Sequence, residues 1–459
     1  MGKIFGTFGV RGVYPDFLNE DFALKMARAF GTFLKGLKEN PKVVVGRDTR
    51  RTGESIKESF VSGLISSGVD VVDVGILPTP LVQYSARILK VDGGAVITAS
   101  HNPPEYNGIK LLEGNGMGLS RKKEAAVEEI FESGKFYTAS WKGVGKKSQK
   151  DMKIDYFMSV MERVDANAIA SRNPFVVTDE AGGAGALILP ELLETLGCRV
   201  LSLNSHTSGF FSARNPEPSE SNLKDTEKIV KALSPDIAVA QDGDADRAVF
   251  MTSDGKFVQG DKTFALVEKF VLSERKGPVV TTVATSNIID EVAKEFKVEV
   301  YRTKVGDLVV TGKLLELGGV IGGEENGGVI FPDLALGRDG IFSTVKIVEA
   351  ISKSRKTFEE LLSELPKFYQ IKDKIRVRGD RKSAVLKFAK LLKSEGFTVD
   401  LTDGAKVIFD DGWVLVRASG TEPIIRIFSE SRIEGKEKEY HDFAISKFIE
   451  ANKDLEVEI

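Results

Sequence analysis

Three aspartates stand at alternate positions in the run Asp242-Gly243-Asp244-Ala245-Asp246, with Arg247 directly after them. Strand-like apolar runs at 236–240 and 248–250 flank this loop and pin it at a strand end, where α/β proteins place ligands. Carboxylates crowded this closely repel one another unless a cation sits among them. An EF-hand calcium loop needs Gly at its sixth position and Glu at its twelfth. Arg247 and Ser253 occupy those positions here, so Mg²⁺ fits the set better, and a merely solvated acidic turn does not suit the apolar flanks.

A second reactive group is Ser100 in "ITASHNPPEYNGIK" (97–110), which leaves a strand-like run and enters a segment whose prolines and Gly108 forbid a continuing helix. A rigid loop of this kind is expected to hold the hydroxyl out. His101 beside it invites a hydrolase reading. Sequence neighbours seldom present side chains to one another, however, and no G-x-S-x-G elbow surrounds the serine.

Two more segments could grip an anionic, hydroxyl-rich ligand. In "RASGTEPIIRI" (417–427) a tight turn carries Ser419, Gly420 and Thr421 between strand-like arms, with Arg417 and Arg426 on either side. Backbone N–H groups, hydroxyls and guanidiniums in that arrangement make a phosphate cradle. In "GGEENGG" (322–328) glycines let the chain bend while Glu324 and Asn326 offer a carboxylate and an amide suited to sugar hydroxyls. "TKVGD" (303–307) adds Lys304 as a possible charge partner.

These loops need a scaffold. At 459 residues the chain exceeds one hydrophobic core, and about 100–200 residues per domain suggests three or four, with a cleft between them. Apolar stripes at Phe22, Met26, Phe30, Phe33 and Leu37, and again at Ile56, Phe60 and Leu64, predict helices. Between and after them "KVVVGRD", "VDVVDVG" and "GGAVITAS" read as strands, giving a sheet with parallel pairs. The aperiodic, lysine-rich 141–153 reads as a linker. "PFVVTDEAGGAGA" and "GPVVTTVATSNIIDEVAKEF" repeat the strand-to-helix grammar, the latter with Ser286 and Asn287 as caps. From about 370 a helix, three strand-like runs and a last helix from about 435 suggest a smaller α+β unit. The expected domains are 1–145, 150–252, 253–366 and 370–459.

The formal net charge of −3 provides no field for nucleic acid or anionic membrane, so a small-molecule partner is expected. Oligomeric state is not legible. The N-terminal run is no signal peptide and no stretch nears the ~20 apolar residues of a membrane span, which points to the cytoplasm. The single cysteine, Cys198, reads as a buried small hydrophobe. Nucleotide-binding glycine fingerprints and CxxC pairs are absent from the sequence.

Taken in order, the serine loop, the triple-aspartate loop, the Glu324 turn and the arginine-flanked turn resemble the α-D-phosphohexomutases (phosphoglucomutase, phosphomannomutase and phosphoglucosamine mutase), most closely the archaeal members, over essentially the whole chain. The resemblance implies an α/β fold: three related α/β domains with mixed sheets and a smaller C-terminal α+β domain of TATA-binding-protein type around a central cleft. It implies an isomerase that interconverts hexose 1-phosphate and hexose 6-phosphate, of glucosamine, mannose or glucose, through a phosphoserine and a hexose 1,6-bisphosphate.

Carried over by motif, Ser100 bears the phosphoryl group and joins Asp242, Asp244 and Asp246 around Mg²⁺. His101, Lys110, Arg247 and Arg11 stand near the reacting phosphate. Lys304, Asp307, Glu324 and Asn326 orient the sugar, and Arg417, Ser419, Gly420, Thr421 and Arg426 hold the other phosphate. Two departures from the family pattern stand out. Phe8 replaces a usual serine, and Asn326 and Gly328 stand where many relatives carry Ser and His. The functional alternative is a metal-dependent sugar-phosphate phosphatase, against which the second phosphate cradle argues.

Overall fold

The computed structural model describes residues 4–6, 8–419, 424–453, 455 and 457–458. Its strands form four sheets. In the first, Lys42–Arg47 lies between Asp70–Ile76 and Gly93–Ile97, parallel to both. Tyr106–Glu113 then pairs antiparallel with Gly93–Ile97, and Val10–Val13 with Tyr106–Glu113. The second sheet repeats this plan: Phe175–Asp179 lies between parallel Arg199–Leu203 and Ile237–Gln241, and antiparallel Ala248–Met251 follows. In the third, Val279–Thr282 lies between parallel Val300–Thr303 and Ile321–Gly323, with antiparallel Val329–Ile330 beyond.

This repetition places the chemistry. In each unit the connection from the third parallel strand to its antiparallel neighbour carries one of the loops singled out above: residues 98–105, 242–247 and 324–328. The central strands are apolar runs buried on both faces, as parallel strands between helices must be. The loops are therefore anchored at both ends by ladder hydrogen bonds.

The fourth sheet is antiparallel throughout and sits behind helices Arg381–Ser394 and Lys436–Ala451. Alternation along Gly412–Ala418 sends Val414 and Val416 toward Phe388 and Phe448 of those helices. Trp413 and Leu415 point the other way and pack with Phe428 against Ala284 and Val305 of the third unit. The long helix Gly340–Ser354 is buried along nearly its whole length and joins the cores of the first three units. Asp339 caps it, accepting from Ile341 N at 3.0 Å and Phe342 N at 2.8 Å.

Two expectations change. The lysine-rich stretch is not wholly a linker, because Lys147–Gln149 adds a parallel edge strand to the first sheet. All three of its residues are exposed, so no apolar alternation marked it, and lysine is a common guard of sheet edges. At the helix Ile288–Phe296, Ser286 Oγ caps Ile288 N at 3.0 Å, whereas Asn287 makes no side-chain cap.

Candidate active site

Ser100 lies in the left-handed region, with φ 53°. Arg50, itself buried, fixes this loop: its Nη2 donates to Ser100 O at 2.8 Å and Asn102 O at 2.6 Å, and its Nη1 to Pro103 O at 2.6 Å and Tyr106 O at 2.9 Å. Arg11 Nη1 donates to Asn102 Oδ1 at 2.9 Å. The hydroxyl is not held out to solvent as expected. It is buried and donates to Asp242 Oδ2 at 2.7 Å. The cause is the close approach of the aspartate loop, where a Cβ on Gly243 would stand 2.7 Å from Ser100 O, so only glycine fits. His101 Nδ1 does come within 3.3 Å of Ser100 Oγ, because the positive φ swings the two neighbouring side chains toward one face. Arg247 first, then burial and Arg11, push the His101 pKa far below its ordinary value and keep the ring neutral.

Asp242, Asp244 and Asp246 are buried, and one carboxylate oxygen from each lies within 4.8 Å of the others. Burial, then the Asp246 and Asp244 charges, raises Asp242 to about 7. Lys110 Nζ bonds Asp244 Oδ2 at 2.7 Å and Asp246 Oδ2 at 3.2 Å. Burial works against the Lys110 charge, but the two aspartates outweigh it and raise its pKa. Arg247 faces Asp242 at 3.3 Å. Even so, Asp244 Oδ1 and Asp246 Oδ1 are buried without a hydrogen bond. Orphaned hard oxygens beside a raised carboxyl are what a divalent cation satisfies, so the residues present fit Mg²⁺.

The third loop meets the second through Arg338, which sequence reasoning missed. Its Nη2 donates to Asp246 Oδ2 at 2.7 Å and its Nη1 to Glu324 Oε2 at 3.0 Å. Burial raises Glu324 to about 7 against the pull of Arg338. Gly328 makes room for this arginine, since a Cβ there would lie 2.3 Å from Arg338 Cδ. Glu324 Oε1 accepts from Gly306 N at 2.9 Å, which ties 303–307 to the turn. Asp307 is buried, while Lys304 is exposed on that segment and Asn326 turns back to accept from Gly328 N at 3.1 Å. Phe8 packs its ring 5.0 Å from Lys110 Nζ.

On the fourth sheet Arg417 and Arg426 are register partners on Gly412–Ala418 and Ile424–Ser431, and Ser419 N donates to Ile424 O at 3.0 Å. Gly420 and Thr421 lie outside the described residues. Cys198 is a buried free thiol, pushed up to about 12 by burial and Asp236.

Ser100, His101, Lys110, Arg11, Arg247 and the three aspartates thus form one cluster, which Arg338 joins to Glu324. The only signal for Arg338 was a charged residue between the apolar run 334–336 and a buried helix start, and for Arg50 the polar "GRDTR" after a strand. A serine, three aspartates and converging cations from three repeated α/β units make a buried site with the charge pattern that phosphoryl transfer calls for.

The chain matches phosphoglucomutase/phosphomannomutase alpha/beta/alpha domain I over residues 2–138, domain II over 154–255 and domain III over 259–369, and the C-terminal domain over 374–445. It belongs to the phosphoglucomutase/phosphomannomutase family and is a phosphohexomutase, an isomerase. A Thermococcus kodakarensis phosphoglucomutase/phosphomannomutase is 58% identical over 99% of this chain and 100% of its own. A Sulfurisphaera tokodaii phosphoglucosamine/phosphogalactosamine mutase is 37% identical over 95% and 96%. The crystal structure of a family member from Burkholderia thailandensis superposes with a TM-score of 0.90 at 27% identity, covering 99% of both chains. Among the described residues no helix is long and apolar enough to cross a membrane.

Proposed function

We propose that the protein moves a phosphoryl group between O1 and O6 of a hexose, with Ser100 as the carrier and a hexose 1,6-bisphosphate as the intermediate. The observation that carries this reading is the Ser100 hydroxyl, 2.7 Å from a carboxylate of the buried aspartate triad. Phosphoserine donates to the open hydroxyl of a bound monophosphate: the Oγ–P bond breaks as the P–O bond to the sugar forms. After the bisphosphate turns end over end, Ser100 takes back the other phosphoryl group. Each transfer moves a proton from the attacking hydroxyl to the oxygen left behind, from the sugar to Ser100 Oγ in the first and from Ser100 Oγ to the freed sugar oxygen in the second; the neighbours of Oγ are Asp242 Oδ2 at 2.7 Å and His101 Nδ1 at 3.3 Å.

Asp242, Asp244, Asp246 and an oxygen on Ser100 would hold Mg²⁺, which supplies charge neutralisation at the transferring group. Lys110, Arg11 and Arg247 add fixed positive charge beside it. Glu324 orients sugar hydroxyls with help from Asn326, Asp307 and Lys304, and Arg417 and Arg426, with Ser419, Gly420 and Thr421, grip the phosphate that is not reacting. The name of the 58% identical relative favours glucose or mannose over an amino sugar. The phosphatase alternative finds no support, since the relatives compared are named mutases and a hydrolase has no use for a second phosphate grip.

Incubation with Mg²⁺, a trace of hexose 1,6-bisphosphate and, separately, the 1-phosphates of glucose, mannose and glucosamine tests this. Conversion to the 6-phosphate without free phosphate supports it and ranks the sugars. Phosphate release without conversion overturns it.

A further inference from the structure

Asp403 precedes the strand Ala405–Ile408 on the fourth sheet, and a single oxygen of its carboxylate receives two donors from different parts of the molecule. Arg417 Nε donates to Asp403 Oδ2 at 2.7 Å, and the backbone N–H of Val305, in the third unit, donates to the same oxygen at 3.0 Å. The contact is built in. Gly404 has φ 94°, and a Cβ on it would stand 2.6 Å from Val416 O and 3.0 Å from Arg417 Cβ, so only glycine lets this turn press on the arginine strand. The Val305 side chain packs beside Trp413, Leu415 and Phe428, which fastens the same segment to the fourth sheet a second time.

The next peptide completes the relation. Gly306 N donates to Glu324 Oε1 at 2.9 Å. Two successive N–H groups therefore reach one carboxylate beside Arg417 and another in the Glu324 turn. Asp403 engages Arg417 through Nε and not through the Nη1–Nη2 edge of the guanidinium, the edge whose paired donors suit a phosphate. Its negative charge also offsets the repulsion between Arg417 and its cross-strand partner Arg426.

We infer that Asp403 is a positioning residue: it aims Arg417 and, through the 305–306 peptides, sets the span between the phosphate grip and the sugar-gripping carboxylate of Glu324. This rests on the reading of Arg417 as part of that grip. Asp403 touches no reacting atom, so its effect falls on binding. A group held at fixed distance from another in both ground and transition states contributes mainly to KM.

The test is steady-state mutase kinetics on full-length Asp403→Ala, Asp403→Asn, Arg417→Ala and the Asp403→Ala/Arg417→Ala double variant, with melting temperatures measured alongside. Asp403→Ala is expected to raise KM for the hexose 1-phosphate about tenfold with kcat changed by less than about threefold. Asp403→Asn, which keeps an acceptor for Val305 N but not the charge, is expected to fall between it and wild type. The double variant is expected to be no worse than Arg417→Ala alone, because both changes disable one device. A raised KM in Arg417→Ala with an unchanged KM in both Asp403 variants overturns the inference and leaves the phosphate grip standing. Lower kcat and melting temperature at unchanged KM makes Asp403 merely structural and likewise overturns it. An unchanged KM in Arg417→Ala overturns the grip itself, and the inference with it.

Discussion

Arg417 and Arg426 face one another directly across two antiparallel strands. Like charges in that relation destabilise a sheet unless an anion lies between or beside them. With Arg426 read as part of the phosphate grip, Arg426→Ala should raise KM for the monophosphate by about ten- to a hundredfold and leave kcat within a few-fold, since the contact is made equally in ground and transition states. Michaelis curves decide it, and an unchanged KM removes Arg426 from the phosphate site.

Ser100→Ala should cut turnover by several orders of magnitude while the sugar phosphate still binds, because binding rests on the arginines and the Glu324 turn. Calorimetric titration of the inactive variant provides the second half of the test. Turnover near that of the parent protein would rule out a phosphoserine route.

Arg338 holds Asp246 and Glu324 together from two different units. Removing one partner of a buried ion pair strands the others, at a cost of about 3–5 kcal/mol. Arg338→Met should lower stability by about that amount in urea unfolding and depress kcat, as both loops lose their common anchor. Full stability in the variant would show that the carboxylates find other partners.

Mg²⁺ should raise the melting temperature with rising concentration, because a cation that binds only the folded triad stabilises it by mass action. Asp244→Asn should abolish most of that shift. The readout is thermal unfolding, independent of turnover, and an equal shift in parent and variant places the ion elsewhere.

Lys406 is buried, donates to Val283 O at 2.9 Å, and has its pKa lowered to about 7 by burial first and Arg302 second. An unfolded lysine titrates near ~10.4. Between those values the unfolded chain binds more protons, so this group makes the fold more stable as pH rises from about 7 toward ~10. Below 7 both states are protonated and the slope vanishes. Lys406→Met removes the group, so the unfolding free energy of the parent minus that of the variant should grow across that interval. A difference that stays flat with pH contradicts the lowered pKa.

Features local to the chain were legible. Asp242, Asp244 and Asp246 announce themselves by spacing, and the buried strands by continuous apolar runs such as 43–45 and 237–240. Features made by tertiary approach were not. Arg338 and Asp403 matter because partners arrive from other units, and nothing adjacent in sequence marks them. The burial of Ser100 depends on Gly243 touching its carbonyl from another domain. The edge strand at 147–149 escaped because both its faces meet solvent, leaving no periodicity to read.

The threefold strand order has a practical meaning for redesign. The loops at 98–105, 242–247 and 324–328 each bridge two hydrogen-bonded strands whose registers are fixed independently, in three separate ladders. Length or composition changes in the Glu324 connection therefore leave the registers of the other two ladders untouched, but the turn itself rests on the aspartate side, where a Cβ on Gly327 would stand 2.6 Å from Ala248 O. If that hairpin grips the sugar as proposed, substitutions confined to it should change sugar preference while the Ser100 and aspartate loops keep their own ladders, provided Arg338 keeps a carboxylate to grasp on each side.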